Sequence, residues 1–135
     1  MRWLQRFGLV AAAVAALLFG VAAQAEAAAP HNVGWLYTQG RSGAVFFDAD
    51  LAGYPSYEKI TVCDNKTDER GIIAKLTGYD TAWNPIYVSV RDPSNNSHCE
   101  AQWDNYFADG FPVYVTVCEY WGTHEENCAN AEGVA

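Results

Sequence analysis

FPVYVTVCEYWGTHEENC, residues 111–128, decides the fold. Val113, Val115 and Val117 take every second position, and Tyr114, Thr116, Cys118 and Tyr120 take the alternate ones. A period of two is the mark of a β-strand with one face turned to a core. With Gly122 and Asn127 as turn residues, the stretch reads as one arm of a hairpin, WGTHEEN as its polar tip, and Cys128 as the start of the return arm. Zinc would need Cys118, His124 and Cys128 to join His98 and Cys99, but no closely spaced cysteine pair is present. A redox role would need a C-x-x-C motif, which is missing. The stretch therefore reads as a hairpin closed by a disulfide.

The alternation continues along the chain. Candidate strands are 33–37, 43–48, 57–63, 71–79, 85–91, 100–106, 112–121 and 128–134, separated by Gly, Pro, Asn and Asp turns. DNKTDERG (64–71) has room for one helical turn; no longer amphipathic helix follows residue 25. Short strands at this spacing predict an all-β domain, a single antiparallel β-sandwich or a barrel-like relative of one.

The N-terminus reads as an address. Arg2 and Arg6 precede an apolar run over 7–23, and Ala23-Gln24-Ala25 is an A-x-A cleavage signal. Residues 1–25 are thus a secretory signal peptide, 26–32 a flexible leader and 33–135 the domain. Export predicts a secreted protein that meets no membrane once the signal is cleaved. All sixteen acidic residues lie at Glu26 or later and two of the eight basic ones lie before it, so the exported chain carries a net charge of −10. Such a surface repels phosphate backbones and anionic membranes, which excludes nucleic acid as a partner.

Four cysteines, Cys63, Cys99, Cys118 and Cys128, in an exported chain of this size predict two disulfides. Three connectivities are open. Cys118 lies opposite the valine face of its strand, and Cys63 lies opposite Ile60 and Val62 in EKITVC. Both look away from the core, which favours surface staples, Cys63–Cys99 and Cys118–Cys128, over a bridge buried between sheets.

The order VCD (62–64), GIIA (71–74), Cys99, DGFPVYVTVCE (109–119) and ENCANAEG (126–133) resembles a group of small secreted β-proteins of actinomycetes. The resemblance covers roughly residues 57–134. The chain departs from it at Asp109, where Glu is usual, and in a longer aromatic N-terminal part. It implies export and a β-fold and carries no catalytic residue with it.

Chemistry leaves fainter marks. His31, His98 and His124 lie in the leader or in polar loops, and no nucleophile elbow is present. Asp48, Asp50, Glu58, Glu100 and Asp104 offer carboxylate pairs of the kind a glycosidase uses, but sixteen acids on a small surface offer such pairs by chance. DPSNNSHCE (92–100) and FFDAD (46–50) place oxygen ligands at short spacing, and DNKTDE (64–69) resembles a calcium loop with Asp68 where Ser or Thr is usual. A structural calcium ion is the one cofactor the sequence leaves room for. The aromatic residues say most. Trp83, Trp103, Tyr106, Tyr120 and Trp121 fall at turns or on outward positions, where aromatic rings stack on sugars or anchor a protein partner. Cross-strand pairing over a sheet face would use the same residues. The expectation is a monomeric, non-enzymatic binding module for a glycan or an extracellular protein. The alternatives are a small hydrolase working through a carboxylate pair, or a hydrolase inhibitor presenting the 118–128 loop.

Overall fold

Alternation along the chain becomes layering in space. The structure is a computed structural model and describes residues 27–135; the signal-peptide reading of 1–25 lies outside the described residues. Eight strands form: β1 (Val33–Tyr37), β2 (Gly43–Asp48), β3 (Glu58–Asp64), β4 (Gly71–Tyr79), β5 (Pro85–Asp92), β6 (Glu100–Asp104), β7 (Pro112–Trp121) and β8 (His124–Val134). They make two four-stranded sheets, ordered β1-β2-β3-β6 and β5-β4-β7-β8, with every pairing antiparallel. The chain is an antiparallel β-sandwich. Val45, Phe47, Ile60 and Val62 from the first sheet meet Ile72, Ala74, Leu76, Val90, Val113, Val115 and Val117 from the second. Each of these Val, Leu, Ile and Phe side chains, taken fully out of water, contributes about 1.5–3 kcal/mol. Gly43 lets the sheets approach: a Cβ there would lie 2.2 Å from Ile72 Cγ1 and 2.5 Å from the Cys63 carbonyl oxygen.

Three local expectations change. The hairpin tip shrinks from WGTHEEN to the two residues between Trp121 and His124, because Gly122 supplies the positive φ, 57°, that a tight hairpin turn needs. The register then slips by one between Val117 and Glu119, and Asn127, at φ 54°, takes up the bulge in β8. Tyr106 leaves β6, since its N–H donates to Glu58 Oε2 at 2.8 Å. DNKTDERG forms no helical turn: the Asp64 and Asp68 carboxylates accept the N–H groups of Lys66 and Arg70, two residues on, and turn the chain locally.

The disulfides join Cys63 to Cys99 and Cys118 to Cys128. Both strand cysteines lie outside the inter-sheet core, as their facing requires, yet Cys63 and Cys118 are buried. His31, in the segment read as a leader, exchanges both main-chain hydrogen bonds with Val134, and Asn32 Oδ1 accepts the Ala49 N–H at 2.7 Å.

One end of the core is closed by charge. Glu119 continues the inward row of Val113, Val115 and Val117 and is buried. Its carboxylate accepts from Ser42 Oγ, from Arg70 Nη1 at 2.7 Å and from Asn127 Nδ2 at 3.1 Å. Burial by itself would raise its pKa, but these bonds outweigh it and hold the carboxyl below its usual range. The Arg70 guanidinium also reaches Glu126 and lies 4.3 Å from the centre of the Trp121 ring.

Candidate binding groove

The outer face of the sheet β5-β4-β7-β8 carries the most promising surface. β4 is central, with Ile72, Ala74 and Leu76 facing in, so Lys75, Thr77 and Tyr79 face out. Register then sets their neighbours. Thr77 lies between Tyr87 on β5 and Tyr114 on β7, and Lys75 lies between Ser89 and Thr116. Two strand spacings separate the tyrosines, about 10 Å. They are 75% and 51% exposed, far more than a ring that serves packing. Between them runs a groove of ≈ 360 Å³ lined by Lys75, Thr77, Tyr87, Ser89, Tyr114 and Thr116. A smaller hollow of ≈ 130 Å³ continues it past Gly78, Tyr79 and Pro85.

The floor is polar and fixed. Thr116 Oγ1 bonds Asn130 Oδ1 at 2.7 Å, and Lys75 Nζ donates to Glu125. At the far end the Tyr79 ring lies 5.8 Å from Trp83, which sits 4.5 Å from Phe111. Trp83 has φ 64°, an unusual conformation for so bulky a residue. The Asp80 carboxylate holds it there by accepting from the N–H groups of Ala82 and Asn84 and from Asn84 Nδ2. The Asn84 side chain, then its N–H, hold the Asp80 carboxyl below its ordinary range.

The aromatic residues singled out in the sequence do not form one site. Trp83 extends the groove's aromatic strip. Trp103 lies on β6 in the opposite sheet, paired with Lys59. Tyr106 is half-buried against Phe107, with its hydroxyl pKa raised by burial. Tyr120 shares the outer face but lies beyond the Cys118–Cys128 disulfide, 5.2 Å from the Arg91 guanidinium. Trp121 packs against both Arg70 and His124 at the end of the hairpin. Tyr79, Tyr87 and Tyr114 are the groove residues that sequence reasoning did not select. The outward position of Tyr87 and Tyr114 was legible; their placement on either side of Thr77 depends on strand order.

The four cysteines are all in disulfides, so none serves as a metal-binding thiolate. Among the described residues no three His, Cys, Asp or Glu side chains gather as a metal-binding group. Glu58, offered as half of a carboxylate pair, is fully buried in the core end of β3 and out of reach of a substrate. No family model, no curated protein and no solved structure matches this chain.

Proposed function

We propose that this protein is a secreted, non-enzymatic binding module that takes a sugar chain across the outer face of the β5-β4-β7-β8 sheet. The observation that carries this reading is the placement of Tyr87 and Tyr114 on either side of Thr77, both exposed, above a floor of hydroxyl and amine groups. A sugar ring needs both kinds of contact. Its C–H face stacks on an aromatic ring, and its rim of hydroxyls exchanges hydrogen bonds with Thr, Ser and Lys side chains. Two disulfides suit an extracellular setting for such a module.

The groove is open and shallow, as a chain-binding surface must be if the polymer runs on past it. Trp83, held rigidly beyond the groove's end, offers a further stacking platform. Binding is tested by mixing the oxidised protein with insoluble chitin, cellulose, starch and peptidoglycan and measuring the unbound fraction. Selective depletion by one polymer, lost in Tyr87→Ala and Tyr114→Ala, supports the reading. Depletion by none of them, or depletion that both variants retain, contradicts it.

A further inference from the structure

Two strands of this chain end alike, Val62-Cys63-Asp64 in β3 and Val90-Arg91-Asp92 in β5, and β7 repeats the pattern at Val117-Cys118-Glu119, two residues before its end at Trp121. Each valine is in the core, and each acid two residues on faces the same way, so three buried carboxylates cap one end of the sandwich. Glu119 has Arg70. The other two have no counter-charge: among the described residues neither Asp64 nor Asp92 is in an ion pair.

Asp92 is fully buried and Asp64 is 6% exposed. Among the described residues, both carboxylates accept hydrogen bonds only from main-chain N–H groups. Asp92 Oδ2 accepts from Asp64 N at 2.8 Å, Asp92 Oδ1 from Ser94 N at 3.4 Å, and Asp64 Oδ1 from Lys66 N at 3.0 Å. Asp64 Oδ2 is buried with no partner at all. Two adjoining buried acids with an orphan oxygen need either a proton or a cation, because a buried unpaired charge is costly.

We infer that Asp64 and Asp92 share a calcium ion, bound where the end of β3 in one sheet meets the end of β5 in the other. The side-chain donors are hard carboxylate oxygens, which suit calcium. Among the described residues no third carboxylate joins them, which leaves main-chain carbonyls of the 65–70 and 93–99 turns and water as the groups to complete the coordination. Those turns are already fastened together by Cys63–Cys99 and by Asn95 Nδ2 donating to Thr67 Oγ1 at 3.4 Å. Two carboxylates match the ion's two charges. So few charged ligands place the affinity at about 10⁻⁴–10⁻³ M, the range of extracellular modules. The ion joins the two sheets at a site separate from the tyrosine groove.

The test is calorimetric titration of calcium chloride into oxidised, chelator-treated protein, with magnesium as control, alongside thermal unfolding. The expected result is saturable calcium binding in that range. At about 10 mM calcium the melting temperature rises by several degrees, and magnesium has little effect. Asp64→Asn and Asp92→Asn lose the calcium-dependent rise. In chelator, Asp64→Asn melts no lower than the parent, since a buried charge has been removed. Three results each overturn the site: no binding by the parent, an equal response to magnesium, or a calcium response that both variants keep. Should Asp64→Asn fail to fold, the parent titration and Asp92→Asn decide the matter.

Discussion

Replacing Glu58 by Gln tests the electrostatics of the core most sharply. Glu58 begins the inward row of β3 and is fully buried. Its Oε2 accepts the Tyr106 N–H, while Oε1 has no partner. Burial pushes its carboxyl up from an ordinary 4.5 to about 7, against the pull of main-chain hydrogen bonds and with a small push from Asp109. The folded protein therefore holds this proton more tightly than the unfolded chain. The stability it contributes is complete below about pH 4.5 and is lost as pH rises through about 7. A tenfold change in proton affinity is worth about 1.4 kcal/mol, so the loss between about pH 5 and about pH 8 amounts to roughly 2–3 kcal/mol. Glu58→Gln keeps an acceptor for Tyr106 but sets an NH₂ where the orphan oxygen stood, a cost of roughly 1–3 kcal/mol that does not vary with pH. The quantity to read is thus the difference in pH slope. Urea unfolding of both proteins at the two pH values gives it, with the other titrating groups cancelling. The parent should lose about 2–3 kcal/mol more than the variant as pH rises. Parallel pH profiles would refute the account, since Glu58 would then titrate alike in the folded and unfolded states.

Removing the short disulfide by Cys118→Ala and Cys128→Ala should lower stability by about 3 kcal/mol, read from urea midpoints at constant m-value. An unchanged midpoint would mean that the Gly122 turn and the Asn127 bulge hold the hairpin without it. Gly43→Ala should destabilise by about 1–3 kcal/mol or more, because its new methyl meets both Ile72 and the Cys63 carbonyl. A loss below about 0.5 kcal/mol would show that the sheets separate there more easily than the packing implies.

Much of the fold was legible because its signals are local. The alternating Ile and Val rows of β3, β5 and β7 name their own inward faces, and the facing of Cys63 and Cys118 favoured the disulfide pairing that forms. The hairpin tip was misjudged because polar residues at 124–127 read as loop; they pair with β7 once Gly122 makes the turn short. The end of β6 was overrun because a side chain 48 residues away, Glu58, takes the Tyr106 N–H. The groove was only half legible. Alternation points Tyr87 and Tyr114 outward, but nothing local says that β4 lies between their strands. The same holds for Asp64 and Asp92, which belong to different sheets and meet only because their strands end at the same end of the sandwich.

Sugar binding in the tyrosine-walled groove is tested most directly by affinity. Depletion on the four polymers selects the ligand, and isothermal titration with soluble oligosaccharides of the selected polymer then measures affinity for the parent, Tyr87→Ala and Tyr114→Ala. Both side chains are exposed, so both variants should melt within a few degrees of the parent. Each variant should lose up to about 10-fold in affinity, since a stacked ring contributes about 0.5–1.5 kcal/mol. Folded variants that bind as tightly as the parent would contradict sugar binding in the groove.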